Sequence, residues 1–178
     1  HLWGPRPGPA EITWLWQRAK TASAGEKLIW LDHLRNGGAG KEVAAYLLAQ
    51  NLVRDPEGRT LYQEILVHER DKTALRTSLD LGLDGGAAKD DLLRWLRQAL
   101  SMELYPEALR IADRVLAGNP DQTEALLRRG VIGFELGMLK EANESFERLG
   151  RAAPADLAGV DPWDLVRARY YQGALLEK

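Results

Sequence analysis

The chain of 178 residues contains no cysteine, few β-branched residues and little net charge, and each of these absences excludes a class of protein. Without cysteine there are no disulfides, thiolate metal sites or thiol nucleophiles. No run of about 18 apolar residues occurs, so the sequence predicts no membrane-spanning helix. The net charge is only −2, which argues against a nucleic-acid partner because such partners select basic surfaces.

The apolar residues that are present favour helices. The chain has 30 Leu and 23 Ala but only 7 Val, 5 Ile and 6 Thr, a composition that predicts an all-α fold. Glycine, proline and asparagine divide it into short segments, so consecutive helices are expected to form antiparallel hairpins. The predicted helices begin at Ala10 and cover 26–35, 41–54, 59–70, 73–83, 90–102, 106–117, 123–136, 139–151 and 161–178.

The second half of the chain repeats itself. Five pairs of identical residues lie 34 positions apart: Ala108 and Ala142, Pro120 and Pro154, Glu107 and Glu141, Leu92 and Leu126, and Leu93 and Leu127. This offset, together with Ala142, Phe146 and Pro154 in one repeat, resembles the tetratricopeptide-repeat (TPR) family. The resemblance is clear over 89–154 and degenerate over 25–86 and 163–178.

The resemblance implies a right-handed α-solenoid, in which antiparallel helix hairpins stack into a superhelix. It divides the chain into an N-terminal arm and lead helix (1–24), two degenerate hairpins (25–88), two repeats (89–154), and a loop with a terminal or capping helix (155–178). Small residues are expected where helices approach closely, namely Ala108, Gly130, Ala142 and Gly173.

The resemblance also implies a concave face lined by the first helix of each hairpin. The positions carried onto this sequence are Leu93, Arg97, Leu127, Val131, Phe134, Arg167 and Tyr170, with His33 and Gln63 in the degenerate repeats. The apolar members would form a continuous strip, and the two arginines would flank it as donors to a carboxylate. Such a surface suits a peptide or helix with apolar anchors and an acidic group.

The sequence shows no complete catalytic or phosphate-binding motif. The segment from Gly37 to Lys41 partly matches a phosphate-binding loop. Arg35, however, occupies the position where that motif needs glycine, and Glu42 the position where it needs serine or threonine. His33 and His68 lie in separate predicted helices, a placement that indicates no metal site. We therefore expect neither cofactor, metal nor small-molecule substrate.

The sequence-based hypothesis is a non-catalytic scaffold that holds a partner protein within a bacterial multiprotein assembly. Alternatives remain open: a regulatory or sensor module of a larger protein, in one version membrane-anchored, or an enzyme with an unrecognised helical active site. The groove could instead be filled by the chain's own N-terminal arm, and the last helix could pair with a second copy in a homodimer. The sequence does not decide whether the protein is cytoplasmic or anchored at a bacterial membrane.

The N-terminal tryptophans allow two interpretations. Trp3, Trp14 and Trp16 lie close together in the sequence. They could fasten the arm over the first hairpin, or they could form a patch for a partner or membrane surface, since tryptophan is enriched at interfaces.

Overall fold

The computed structural model describes residues 7–85, 88–153, 155–157 and 160–176. Over these ranges the chain forms α-helices and one 3-10 turn but no β-strand, so the all-α prediction is confirmed. The helices are α1 (Pro9–Thr21), α2 (Ala24–Asn36), α3 (Gly40–Ala49), α4 (Pro56–His68), α5 (Lys72–Asp84), α6 (Lys89–Ser101), α7 (Tyr105–Gly118), α8 (Thr123–Glu135), α9 (Leu139–Gly150) and α10 (Pro162–Leu176). The chain divides into two compact units, His1–Ser78 and Leu79–Lys178, and the boundary falls within α5.

One predicted helix is wrong in length. The sequence pattern continued the third helix to residue 54, whereas α3 ends at Ala49 and a separate 3-10 turn covers Leu52–Arg54. Asn51 adopts a φ of 57°, the left-handed conformation that asparagine tolerates better than most residues and that a helix cannot contain. Pro56 then begins α4, where its fixed φ suits the first helical position.

The first unit packs its helices around a core of aliphatic side chains. α1 and α2 lie against each other, and Ser23 and Glu26 cap the start of α2 through a hydrogen bond from Oγ to Oε2 of 2.7 Å. The arm that precedes α1 approaches this pair, because Pro7 lies next to Gly37. Residues that are fully buried in this unit include Ala19, Leu31, Leu34, Val43, Leu47 and Leu75.

The second unit contains the same helical hairpin twice. The start and the end of α8 each lie 34 residues after those of α6, and α9 starts 34 residues after α7. The turns agree in conformation, since Leu104 has φ and ψ of −85° and 64° and Met138 has −82° and 64°. The residue before each also has a positive φ, 56° at Glu103 and 75° at Gly137. The sequence repeat is therefore a repeat of backbone structure.

Small residues bring α8 and α9 close together, as predicted. A Cβ atom on Gly130 would collide with the buried ring of Phe146, and Ala142 is completely buried against the same helix pair. Gly173 differs from its prediction, because no atom lies within 4 Å of the place where its Cβ would stand. Pro154 of the repeat pattern lies outside the described residues.

We expect Gly130→Ala to destabilise the chain relative to Gly150→Ala. Gly130→Ala gains about 0.5–1 kcal/mol of helix propensity and Gly150→Ala, at the last residue of α9, gains at most that, but only the first forces a methyl group into Phe146. Overpacking of this kind costs about 1–3 kcal/mol, which should lower the free energy of unfolding of Gly130→Ala by that amount relative to the control. Urea unfolding followed by circular dichroism measures both, and equal stabilities would contradict the close helix contact.

Candidate functional site

Arg97 on α6 is already bound by a carboxylate of its own chain. Its Nε donates to Glu124 Oε1 at 2.7 Å and its Nη2 to Oε2 at 2.6 Å, which joins α6 to the start of α8. These hydrogen bonds and the negative charge of Glu124 raise the pKa of Arg97, against a smaller opposite effect of burial. The side chain of Arg97 is 61% exposed, so its role as a donor to a partner's carboxylate stays a prediction in which the partner would have to replace Glu124.

A second ion pair joins α8 to α10. Arg128 contacts Asp164 at 2.8 Å, and both side chains are largely buried. The two ion pairs line a cleft of 290 Å³ that also includes Leu127, Val160 and Asp161. Asp161 accepts a hydrogen bond from the backbone of Trp163 at 2.8 Å and so caps α10. Each charged group that lines this cleft has an ion-pair or hydrogen-bond partner among the described residues, although the buried Nε of Arg128 itself has none.

The apolar positions of α8 are covered by α10. Leu127 is fully buried in a core cluster with Ala168 of α10, and Val131 and Phe134 pack against the same cluster. The ring of Phe134 lies 4.4 Å from that of Tyr171. The predicted continuous apolar strip is therefore corrected, because its α8 members pack against α10. Leu127 cannot contact a partner unless that helix is displaced.

Tyr171 fixes the register of α10 on α8. Its hydroxyl donates to Glu135 Oε1 at 3.0 Å while its ring contacts Phe134. Burial raises the pKa of Tyr171, and the hydrogen bond to Glu135 adds to this effect. Tyr171 therefore attaches α10 to the end of α8 by two contacts, one aromatic with Phe134 and one polar with Glu135.

The opposite face of α10 is exposed and apolar. Trp163, Val166 and Tyr170 are 79%, 57% and 71% exposed, and their spacing of three and four residues places them in one row. We call this row the α10 stripe. Ala168, on the other side of the helix, is only 5% exposed. α10 therefore buries one face within the unit and presents a second apolar face to solvent.

The remaining predicted positions are divided between the two units. In the second unit Leu93 is half-buried on α6, and Arg167 is exposed beside the α10 stripe. In the first unit Gln63 is fully buried and donates to Ser78 Oγ at 3.2 Å, so its prediction as a surface contact is corrected. His33 is half-buried, with its ring 5.9 Å from that of Trp30.

Two functional candidates, Trp163 and Val166, were missed by the sequence-based assignment. The family pattern placed the contact positions of α10 on Arg167 and Tyr170, so it included Tyr170 of the exposed row but not Trp163 or Val166. The spacing of Trp163, Val166 and Tyr170 is visible in the sequence, but only the burial of Ala168 shows which side of the helix faces outward.

The N-terminal tryptophans pack within the first unit. Trp14 meets Trp30 of α2 edge-on at 5.6 Å, and Trp16 meets Tyr46 of α3 at 5.5 Å. These contacts fasten α1 to its neighbours, while Trp3 lies outside the described residues. Trp14 is also 48% exposed, so the alternative of a contact patch stays a prediction.

Within the described ranges, no three His, Asp or Glu side chains are grouped to hold a metal ion. None of the described helices has the length and apolarity that crossing a membrane requires.

The chain matches no protein-family model, no curated protein and no solved structure. The TPR resemblance stays a prediction that rests on the repeated residues and on the repeated hairpin of the second unit.

We expect the stability of Tyr171→Phe to decrease less with rising alkaline pH than that of the wild type. Because the folded chain holds the Tyr171 proton more tightly than the unfolded chain, its stabilising effect is complete below the ordinary tyrosine pKa of about 10 and is lost as pH rises through the higher folded pKa. The midpoint of thermal unfolding should therefore fall less steeply above about pH 10 in Tyr171→Phe than in the wild type.

Tyr170→Phe is the matched control, because Tyr170 is the adjacent residue and is 71% exposed. Its alkaline curve should lie close to that of the wild type, because the charge of Tyr170 is the smallest of the effects that raise the pKa of Tyr171. Burial also raises the pKa of Tyr62 in the first unit, and that contribution stays in all three proteins. Parallel curves for the wild type and Tyr171→Phe would show that the phenol is not held as described.

Proposed function

We propose that this chain is a non-catalytic protein-interaction module that binds a peptide or helix of a partner protein. The second unit supplies the binding surface, and the helical hairpins form a right-handed α-solenoid of the TPR type. The proposal keeps the class of partner expected from the sequence but moves the contact surface to the exposed face of α10.

The repeated hairpin supports the solenoid. The hairpins α6–α7 and α8–α9 share the length of their first helix, the conformation of their turn and a buried alanine in their second helix, as expected of stacked repeats. Ala108 and Ala142 are both completely buried at equivalent positions of the second helix in each hairpin. α10 then packs on α8 and α9 in the place where a further repeat would begin.

The observation that carries the proposal is the α10 stripe. Large side chains exposed singly need no explanation, but three in one row on one helix face form a contiguous apolar patch. Tryptophan and tyrosine contribute much of the binding energy at protein interfaces, because they bury a large area at a low cost in side-chain entropy. Arg167 is exposed and borders the row, and we include it in the proposed surface as the donor to a partner's carboxylate.

The test is a selection of displayed amphipathic helical peptides against the purified chain. We expect enriched peptides to bind with micromolar affinity and to lose at least about tenfold on Val166→Asp, which places a charge in the middle of the α10 stripe. Fluorescence anisotropy of the synthesised peptides measures both affinities.

Leu81→Asp is the matched control. Leu81 is also an exposed aliphatic residue of the second unit, 64% exposed, but it lies on α5. Peptide affinity should be unchanged by this substitution, and circular dichroism should show that both variants remain folded. Peptides that bind Val166→Asp as well as the wild type would sink the assignment of the surface to α10.

A further inference from the structure

We infer that the partner segment bound by the α10 stripe is an acidic amphipathic helix of another protein. This inference rests on the proposed function and adds the charge and the conformation of the partner. Both follow from how the described residues of α10 are arranged around the stripe.

The first argument is charge complementarity. At 100° per residue, Arg167 and Arg169 lie on opposite sides of the row formed by Trp163, Val166 and Tyr170. Both arginines are exposed, and neither forms an ion pair with another described residue. The acid of α10 that lies among the described residues, Asp164, is held by Arg128 on the buried side. The open face is therefore apolar in the middle with one arginine on each side. On the α9 side Arg169 lines a cleft with Glu147 and Arg151, and those two residues form an ion pair with each other at 3.6 Å.

The second argument concerns the conformation of the partner. In this unit the row of Leu127, Val131 and Phe134 on α8 is the surface on which α10 lies. The α10 stripe repeats that row on the next helix, with members separated by the same seven residues from first to last. A row of this length and spacing is matched by the apolar side of one helix, whose acidic residues on either side would then reach the two arginines.

A second copy of this chain fits the surface less well. If two α10 stripes packed against each other around a two-fold axis, the arginine edges of one copy would face those of the other. Like charges brought together in this way oppose association, whereas glutamate or aspartate on a different helix would favour it.

The experiment uses two fluorescein-labelled helical peptides of about 20 residues with identical apolar faces. One carries glutamate along both edges of that face, and the other carries lysine at the same positions. We expect the wild type to bind the acidic peptide about tenfold more tightly at low salt, and expect this preference to shrink as salt screens the charges.

Charge reversal tests the two arginines directly. Arg167→Glu with Arg169→Glu should invert the preference by about tenfold, so that the basic peptide binds more tightly. The control, Arg114→Glu with Lys140→Glu, changes the net charge equally at exposed positions of α7 and α9 and should preserve the preference for the acidic peptide.

The possible outcomes distinguish a failure of this inference from a failure of the proposed function. If both peptides bind equally and both lose affinity on Val166→Asp, the interaction surface stands and the acidic partner is overturned. If neither peptide binds, or if Val166→Asp changes nothing, the proposed function falls as well. A dimer in light scattering that Val166→Asp dissociates would assign the stripe to a second copy. Binding to anionic lipid vesicles but to neither peptide would assign it to a membrane surface.

Discussion

The packing of α10 on α8 and α9 decides which side chains of the second unit are buried and which face solvent. Ala168 enters the core beside Leu127 and Phe146, and Tyr171 joins the ring of Phe134 to the carboxylate of Glu135. Once one face of α10 is committed to these contacts, helical geometry directs Trp163, Val166 and Tyr170 outward. The exposure of this row thus follows from the packing of the opposite face of α10 in the core.

The same arrangement explains why the first helices of the hairpins do not offer an open apolar groove in this unit. Glu124 holds Arg97 and Asp164 holds Arg128, so the charges that line the cleft between α6, α8 and α10 neutralise one another. The more exposed pair, Arg97 with Glu124, stabilises the fold by only about 0.2–1 kcal/mol, but both pairs fix side chains and occupy hydrogen-bond donors. A partner that used Arg97 would first have to replace Glu124, whereas Arg167 and Arg169 require no such exchange.

Much of the fold follows from the sequence, because its signals are local. Leucine and alanine content predicts helices, and the 34-residue offset predicts the repeated hairpin with Ala142 and Gly130 at its contact. The positions of Leu127 and Gln63 could not be predicted in this way. Whether an apolar residue on a first helix faces a groove or a following helix depends on how α10 is placed, and whether a glutamine is buried depends on a partner such as Ser78. The end of α3 could not be predicted either, because it depends on the left-handed backbone conformation of Asn51, which the spacing of apolar residues does not reveal.

The most direct test of the account is the reactivity of single cysteines on the two faces of α10, which the absence of native cysteine makes unambiguous. Val166→Cys and Ala168→Cys would be labelled with a thiol reagent under native conditions and again in urea. The account predicts that Cys at 166 reacts as fast when folded as when unfolded, while Cys at 168 reacts slower by on the order of a hundredfold when folded, since it must await local opening. Equal native rates at the two positions would contradict the packing of α10 and with it the exposed row on which the proposed function depends.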